Sequence, residues 1–302
     1  MPCEASVSRV TDDMVQMKSK PLQTLADVDA EVAALASSGI RIPPQPRIVM
    51  EIVEMLQAGQ LDMSKMADVI AQDAGLTAML YKTTRSVAYA RRRPPQSLEQ
   101  ILVLLGLRQT ALLVQSYGVT VALSGNNPLL EQFWARSLDI AQLASVIAHE
   151  RVSVCNVFPE QAYMVGIFHD CGVPVLMQRF PDYCHATGVD GRARKWADVR
   201  EEDRAFNVDH CSIGYLLARH WRLPDFVAGT ILNHHEFAYI SHAARTMVAI
   251  LQLAIQLHSE DQGLPNPDWH KARELVLDEL GVHPDDLDEF CDTVTDRRRE
   301  LD

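Results

Sequence analysis

The sequence predicts an all-α protein, a multi-helical bundle with two helical subdomains. Three observations carry this. Apolar residues recur at spacings of three and four through most of the chain, as in Ile48, Ile52, Val53 and Leu56. No alternating apolar–polar run is long enough to propose as a strand. Breakers such as Gly106, Pro181 and Pro224 cut the apolar stretches into helix-sized pieces, and no fixed-period repeat is present.

Taken in order, residues 1–25 are polar and aperiodic and read as a mobile tail. A first helix is expected over Leu25–Leu35, closing near Gly39. Ile42-Pro43-Pro44-Gln45-Pro46 cannot be helical, because proline removes a donor and pushes the residue before it into extended conformation. Short helices follow at Met63–Ala71 and Leu76–Arg85. Ala88–Gln96, with Arg91-Arg92-Arg93 before Pro94-Pro95, reads as a solvated loop. Ser97-Leu98-Glu99-Gln100 is a capping box that opens an apolar run; Gly106 ends it, and a further helix covers Leu107–Leu123. The stripe Ile140, Leu143, Ala144 and Ile147 marks a long helix over Leu129–His149. Helices are then expected at Glu160–Asp170, Val173–Phe180, Asp209–Trp221, Leu223–His235 and Ala243–His258, with Pro224 in a first turn. Gly188–Arg204 is polar and has no clear pattern. Gly263–Pro267 reads as a linker, and Trp269–Asp302 as two amphipathic helices.

Composition narrows the function classes. The 302 residues are 47% hydrophobic and 23% charged, enough for one large domain or two small ones. A net charge of -12 works against nonspecific binding to nucleic acid or to an anionic membrane, which reward clustered Lys and Arg. The six cysteines form no C-x-x-C pair and read as reduced thiols of a cytoplasmic protein. The first residues show no signal pattern, and no run of about 18 apolar residues suggests a membrane span.

The residues that could carry chemistry start at Gly166-Ile167-Phe168-His169-Asp170-Cys171-Gly172. His169 and Asp170 stand at a helix end, about 100° apart around its axis, so one can face a pocket while the other anchors a neighbour. Downstream stand Asp209-His210 and Asn233-His234-His235. Read singly, His169 is a buried core histidine, Asp170 a local cap, and His234-His235 a polar helix end. Read together, His169, Asp170, His210, His234 and His235 are candidate ligands for a divalent metal of the phosphohydrolase type. Cys171 and Cys211 flank them and read as buried, inert thiols. Trp134 and Trp221 read as core anchors.

In this order the pieces resemble the HDOD domain, a relative of the HD and HD-GYP phosphohydrolases. The matching residues are Ile42 to Pro46, Gln72-Asp73-Ala74-Gly75-Leu76-Thr77, Ser97 to Gln100 with Leu104-Leu105-Gly106, Phe133-Trp134 with Ser137, His169-Asp170-x-Gly172, Asp209-His210 with Gly214, Trp221 with Leu223-Pro224, and His234-His235. The resemblance implies an HDOD domain over 26–258, with an N-terminal helical part over about 26–125 and an HD-like part over about 126–258. A C-terminal helical extension follows at 265–302. Arg136 stands where the catalytic relatives carry a first metal-ligating histidine, and a guanidinium cannot bind a cation. Ile250 to Gln256 offers no closing aspartate, and the GYP signature is absent after His235. The resemblance thus implies a non-catalytic module of bacterial signal transduction acting by protein–protein contact, with regulators or kinases as partners. It leaves either no cofactor or one divalent metal (Fe, Mn or Zn) on the five central residues. The alternatives are a residual metal-dependent phosphohydrolase acting on a nucleotide, or a cyclic-dinucleotide sensor in which Arg136 contacts an anion.

Overall fold

The computed structural model describes residues 25–57, 62–84, 95, 97–124, 128–189, 196–237, 240 and 242–300. Residues 1–24 of the expected tail and most of the arginine-rich loop at 88–96 lie outside the described residues. Among the described residues every regular element is helical.

Two hydrophobic cores organise the helices. The smaller is built by α2 (Arg47–Gln57), α3 (Met63–Ala71), α4 (Ala74–Thr84) and the first part of α5 (Leu98–Leu123). Its centre is Ile52, Met66, Ile70, Leu76, Leu80, Ile101 and Leu102, all fully buried. Ser97 opens α5 by accepting the Gln100 N–H through its Oγ at 3.3 Å, as the capping pattern predicts. Gly106 takes φ 75° and ψ 166°, a non-helical backbone that divides α5 into two helical pieces across a kink, as the sequence predicts. At 26 residues α5 is long and apolar enough to cross a membrane, a feature the run-length reading passed over. More than half of its apolar window is buried inside the protein.

The larger core gathers α6 (Pro128–Glu150), α8 (Pro159–Phe168), α9 (Gly172–Arg179), α12 (His210–His220), α13 (Asp225–Asn233) and α14 (His242–Gln262). The short α7 (Val152–Cys155) and α10 (Tyr183–Thr187) lie between these. Gly166 lets α8 lie directly on α6: a Cβ there would sit 2.4 Å from the Ala141 Cα. The Gln109 amide donates to Glu160 Oε1 at 2.8 Å and ties α5 to α8, so the two cores share a seam.

Three features differ from the sequence reading. The helix α1 (Leu25–Ser37) buries Val28 and Leu35 in the larger core rather than in the N-terminal one. The chain after it is held there by Trp221 Nε1, which donates to the Pro43 carbonyl at 3.0 Å. Pro224 is the N-cap of α13 rather than a first-turn residue. Within the patternless Gly188–Arg204 stretch a helix begins, α11 (Val199–Phe206), opened by Asp198, which accepts the Arg200 and Glu201 N–H groups.

The C-terminal extension is part of the larger core. It consists of α15 (Pro267–Leu280), a short 3-10 turn, and α16 (Leu287–Arg299). Trp269, Val276, Leu277, Leu280 and Val294 are buried against the HD-like part. Asp139 of α6 binds His258 of α14 and Arg298 of α16, each at 2.5 Å, and Arg297 pairs with Glu150 at 2.5 Å.

Candidate functional site

Four helix ends and one long side chain meet in the larger core. His169 follows α8, and Asp170 comes one residue later. His210 opens α12 behind its cap Asp209, whose carboxylate accepts the Ser212 N–H at 2.8 Å. His234 and His235 end α13. Arg136 reaches in from α6. Gly172 sets the approach of α9 to α12, because a Cβ there would stand 2.1 Å from the His210 carbonyl oxygen. This close packing brings His210 within 3.3 Å of Asp170 Oδ1.

All five predicted residues come together, and Arg136 joins them. Asp170 is 2% exposed, and His169, His210 and His234 are fully buried. Arg136 Nη1 donates to Asp170 Oδ2 at 2.8 Å and lies 3.1 Å from His169 Nε2. Trp196 Nε1 donates to the same Oδ2 at 2.7 Å, and the guanidinium lies 4.5 Å from the Trp196 ring centroid. His234 Nε2 and His210 Nε2 face Asp170 Oδ1 at 3.2 and 3.3 Å.

Each histidine is oriented through its other ring nitrogen. His169 Nδ1 meets the Gly166 carbonyl at 2.7 Å and His234 Nδ1 the Ile231 carbonyl at 2.8 Å. His210 Nδ1 meets Glu202 at 2.6 Å and His235 Nδ1 meets Asp268 at 2.7 Å. Each Nδ1 meets an acceptor, which orients the ring and turns every Nε2 inward. Glu202 also accepts the His210 backbone N–H at 2.9 Å and the Tyr183 hydroxyl.

Burial alone would raise the Asp170 carboxyl, but contacts from His169, His210 and His234 outweigh it, and the carboxyl lies well below its ordinary range. Burial would lower His210, yet Cys211, Glu202 and Asp170 lift it well above its ordinary value. Cys211, beside it, is pushed up to about 12 by burial. His169 is held down by burial and by the nearby Arg136 charge, and His234 is lowered to about 3 by burial and its neighbour His235. Arg136 and His210 both face Asp170, and His210 also meets Glu202.

Three contributors escaped the sequence reading. Glu202 lies on the helix that the polar stretch concealed. Trp196 sits in the same stretch. Asp268 comes from the first turn of α15, in the segment read as an extension. Its carboxyl is lowered to about 2: burial opposes this, while His235 and Lys271 outweigh burial. The Ile250–Gln256 stretch gives Gln252 instead of an aspartate, and its amide donates to the His234 carbonyl. Only spacing hints could have flagged these: an acid eight residues before His210, and an acid after Pro267.

The same centre offers ligand atoms for one ion. His210, Cys211, His234 and His235 each offer a ligand atom, all within 4.8 Å of one another. His210 Nε2 and His235 Nε2 lie 3.1 Å apart, and Cys211 Sγ lies 3.5 Å from His210 Nε2. Ligand nitrogens about 3.3 Å apart are what bonds of about 2.0 Å to a tetrahedral zinc require. A metal there has to displace the His210 proton and ionise Cys211. The centre opens into a cavity of about 510 Å³ lined by Arg136, Trp196, His235, Asn266 and Asp268 among others.

The family model of the HDOD domain matches residues 42–237. The chain belongs to the HDOD domain family. A solved HDOD domain protein of unknown function from Geobacter sulfurreducens is 25% identical, with a TM-score of 0.62 over 90% of this chain and 96% of that one. A candidate metal-dependent phosphohydrolase from Shewanella amazonensis shares the fold at 16% identity, with a TM-score of 0.69 over 91% of this chain and 98% of that one. A candidate signal transduction protein from Marinobacter aquaeolei is 21% identical, with a TM-score of 0.65, over 97% of this chain and 64% of that one. An uncharacterized Treponema pallidum protein is 22% identical over 223 residues, which span 74% of this chain and 43% of that protein. The HDOD match ends before α14 and α15, so Asp268 lies outside it.

Proposed function

We propose that this chain is a non-catalytic regulatory module of bacterial signal transduction, working in the cytoplasm by contact with partner proteins. One observation carries the reading: the Arg136 guanidinium, 2.8 Å from Asp170 and 3.1 Å from His169, stands against the residues a first metal would bind. An arginine keeps its charge, cannot leave and activates no water. With Arg136 on Asp170 and Glu202 on His210, the buried polar groups of the centre are paired with one another, as in a structural core. The partners are signalling proteins such as regulators or kinases, and the name of the Marinobacter neighbour is consistent with that setting.

Elemental analysis of the purified full-length chain, before and after incubation with Zn, Mn or Fe, tests the first half of this. The expected result is well under one ion per chain and no phosphodiesterase turnover on nucleotide or cyclic-dinucleotide substrates. One tightly held ion, lost in both His210→Ala and Cys211→Ala, would refute the metal-free centre. Cross-linking of the full chain in its native cell tests the second half, with recovery of a kinase or response regulator as the expected result.

A second reading has its own support. The His210, Cys211, His234 and His235 set has the spacing of a single N/S site, which favours zinc over the harder ions. When bound there, the ion would supply Lewis acidity next to the 510 Å³ cavity. Glu202 and Asp268 would orient His210 and His235 toward it. This is the residual phosphohydrolase, and the same metal analysis separates it from the first reading. The cyclic-dinucleotide sensor is the weaker alternative, because the Arg136 charge is already engaged by Asp170.

A further inference from the structure

Two cavities meet in the seam between the two cores, away from the histidine centre. The first, about 280 Å³, lies between α4, α5, α6 and α8 and is walled by Met79, Leu113, Leu138 and Pro159. The second, about 270 Å³, continues past Trp134 and Ile167. Met79, Leu138 and Tyr163 line both. Neither shares a lining residue with the cavity at the histidine centre.

The walls are apolar, but uncharged polar groups interrupt them. Gln142, Ser145 and Tyr163 line the first cavity. Gln142 is only 7% exposed. Among the described residues, neither its amide nor the two hydroxyls has a hydrogen-bond partner. Beside the second cavity the buried Trp134 Nε1 is also unpartnered. Leaving the buried Trp134 indole without a partner is costly, while the half-buried Ser145 and Tyr163 line an open cavity; a bound molecule that supplies a partner to the indole removes that cost.

We propose that this seam binds a small neutral molecule with an aliphatic body and one amide or carbonyl group. The size argues for a small molecule, since the first cavity is near the lower end of the range of about 300–1,000 Å³ for ligand pockets. The aliphatic walls, with the adaptable thioether of Met79, match a hydrocarbon body. The Gln142 amide and the Ser145 and Tyr163 hydroxyls can both donate to and accept from a carbonyl or amide. The charged side chains of the lining are Lys82 and Glu160, which offset each other, and Glu160 already accepts from Gln109 at 2.8 Å. No surplus charge remains to select an ion. An occupant touches α4 on one side and α6 and α8 on the other, so its binding bears on how the two cores meet. That gives a module without catalysis a chemical input.

The test is a titration of the full-length chain with octanamide, followed by backbone amide chemical shifts and by tryptophan fluorescence, with Trp134→Phe as the local reporter control. The expected result is saturable binding with shifts confined to α4, α5, α6 and α8. Gln142→Leu should weaken it by at least about fivefold, the worth of one hydrogen bond. Leu138→Trp should abolish it by filling the seam; Leu138 is 38% exposed, so the larger ring can be accommodated without unfolding. If Leu138→Trp lowers the melting temperature, Ala78→Trp at the exposed rim blocks the same cavity. Octanoate should bind at least about tenfold more weakly than octanamide, since nothing in the lining compensates a carboxylate. No saturation within the solubility of octanamide, binding that survives both blocking variants, or equal binding of octanoate would each overturn the proposal.

Discussion

Arg136→Met removes the guanidinium and keeps most of the apolar stem. In the native centre Asp170 takes Arg136 at 2.8 Å and Trp196 at 2.7 Å on one oxygen and faces two histidines with the other. Without Arg136 one buried carboxylate has lost its fixed cation. Breaking a buried pair by removing one partner costs about 3–5 kcal/mol. The stacking on Trp196, at 4.5 Å, adds about 1 kcal/mol. The expected loss is therefore about 4–6 kcal/mol, or an apparent Tm lower by about 10–20 °C at about 2–4 °C per kcal/mol. Chemical denaturation in the presence of a chelator measures it. The double variant Arg136→Met with Asp170→Asn removes both charges and should be less destabilised than the sum of the singles by at least about 2 kcal/mol. A loss under about 1 kcal/mol in the single variant, or strictly additive singles, would refute the idea that Arg136 serves as the built-in cation of this centre.

Other expectations follow from the packing. Gly172→Ala should separate α9 from α12, because its Cβ meets the His210 carbonyl at 2.1 Å; the measurement is the near-UV spectrum and Tm, with a loss of about 3 kcal/mol or more. Leu280→Ala, at a fully buried position of α15, should cost about 2–5 kcal/mol in denaturant melts, which an extension merely tethered to the domain would not show. The pH dependence of stability has a definite sign at Asp139. Burial opposes ionisation there, but the His258 and Arg298 contacts outweigh it and lower the folded pKa. As pH falls below about 4 the unfolded state takes up the proton first, so this contribution is present above that pH and is lost on acidification. Asp139→Asn should flatten the stability curve in that acid range.

The histidines and Asp170 were legible because they are chemically distinctive and follow helix-sized apolar runs. The helix series was legible for the same reason: three-and-four spacing needs no tertiary information, and Ser97 or Gly172 punctuates it locally. The partners that complete the site were not. Glu202 sits on α11, a short helix rich in charge in which the acid itself is the buried side chain. Asp268 reads as an ordinary first-turn acid, and only the docking of α15 turns it toward His235. Gln142, Ser145 and Tyr163 are unremarkable in sequence and become a polar lining only where two cores leave a gap.

By itself, then, the sequence determined the helices, the family and the loss of the first metal-ligating histidine, because these depend on residue type and local spacing. Tertiary structure decided what that loss means. Whether Arg136 pointed to solvent, to an anion or to Asp170 depends on how α6 crosses α8, and the close approach at Gly166 sets that crossing. It places the guanidinium on Asp170, and the Glu202 contact to His210 completes the centre across helices far apart in the chain.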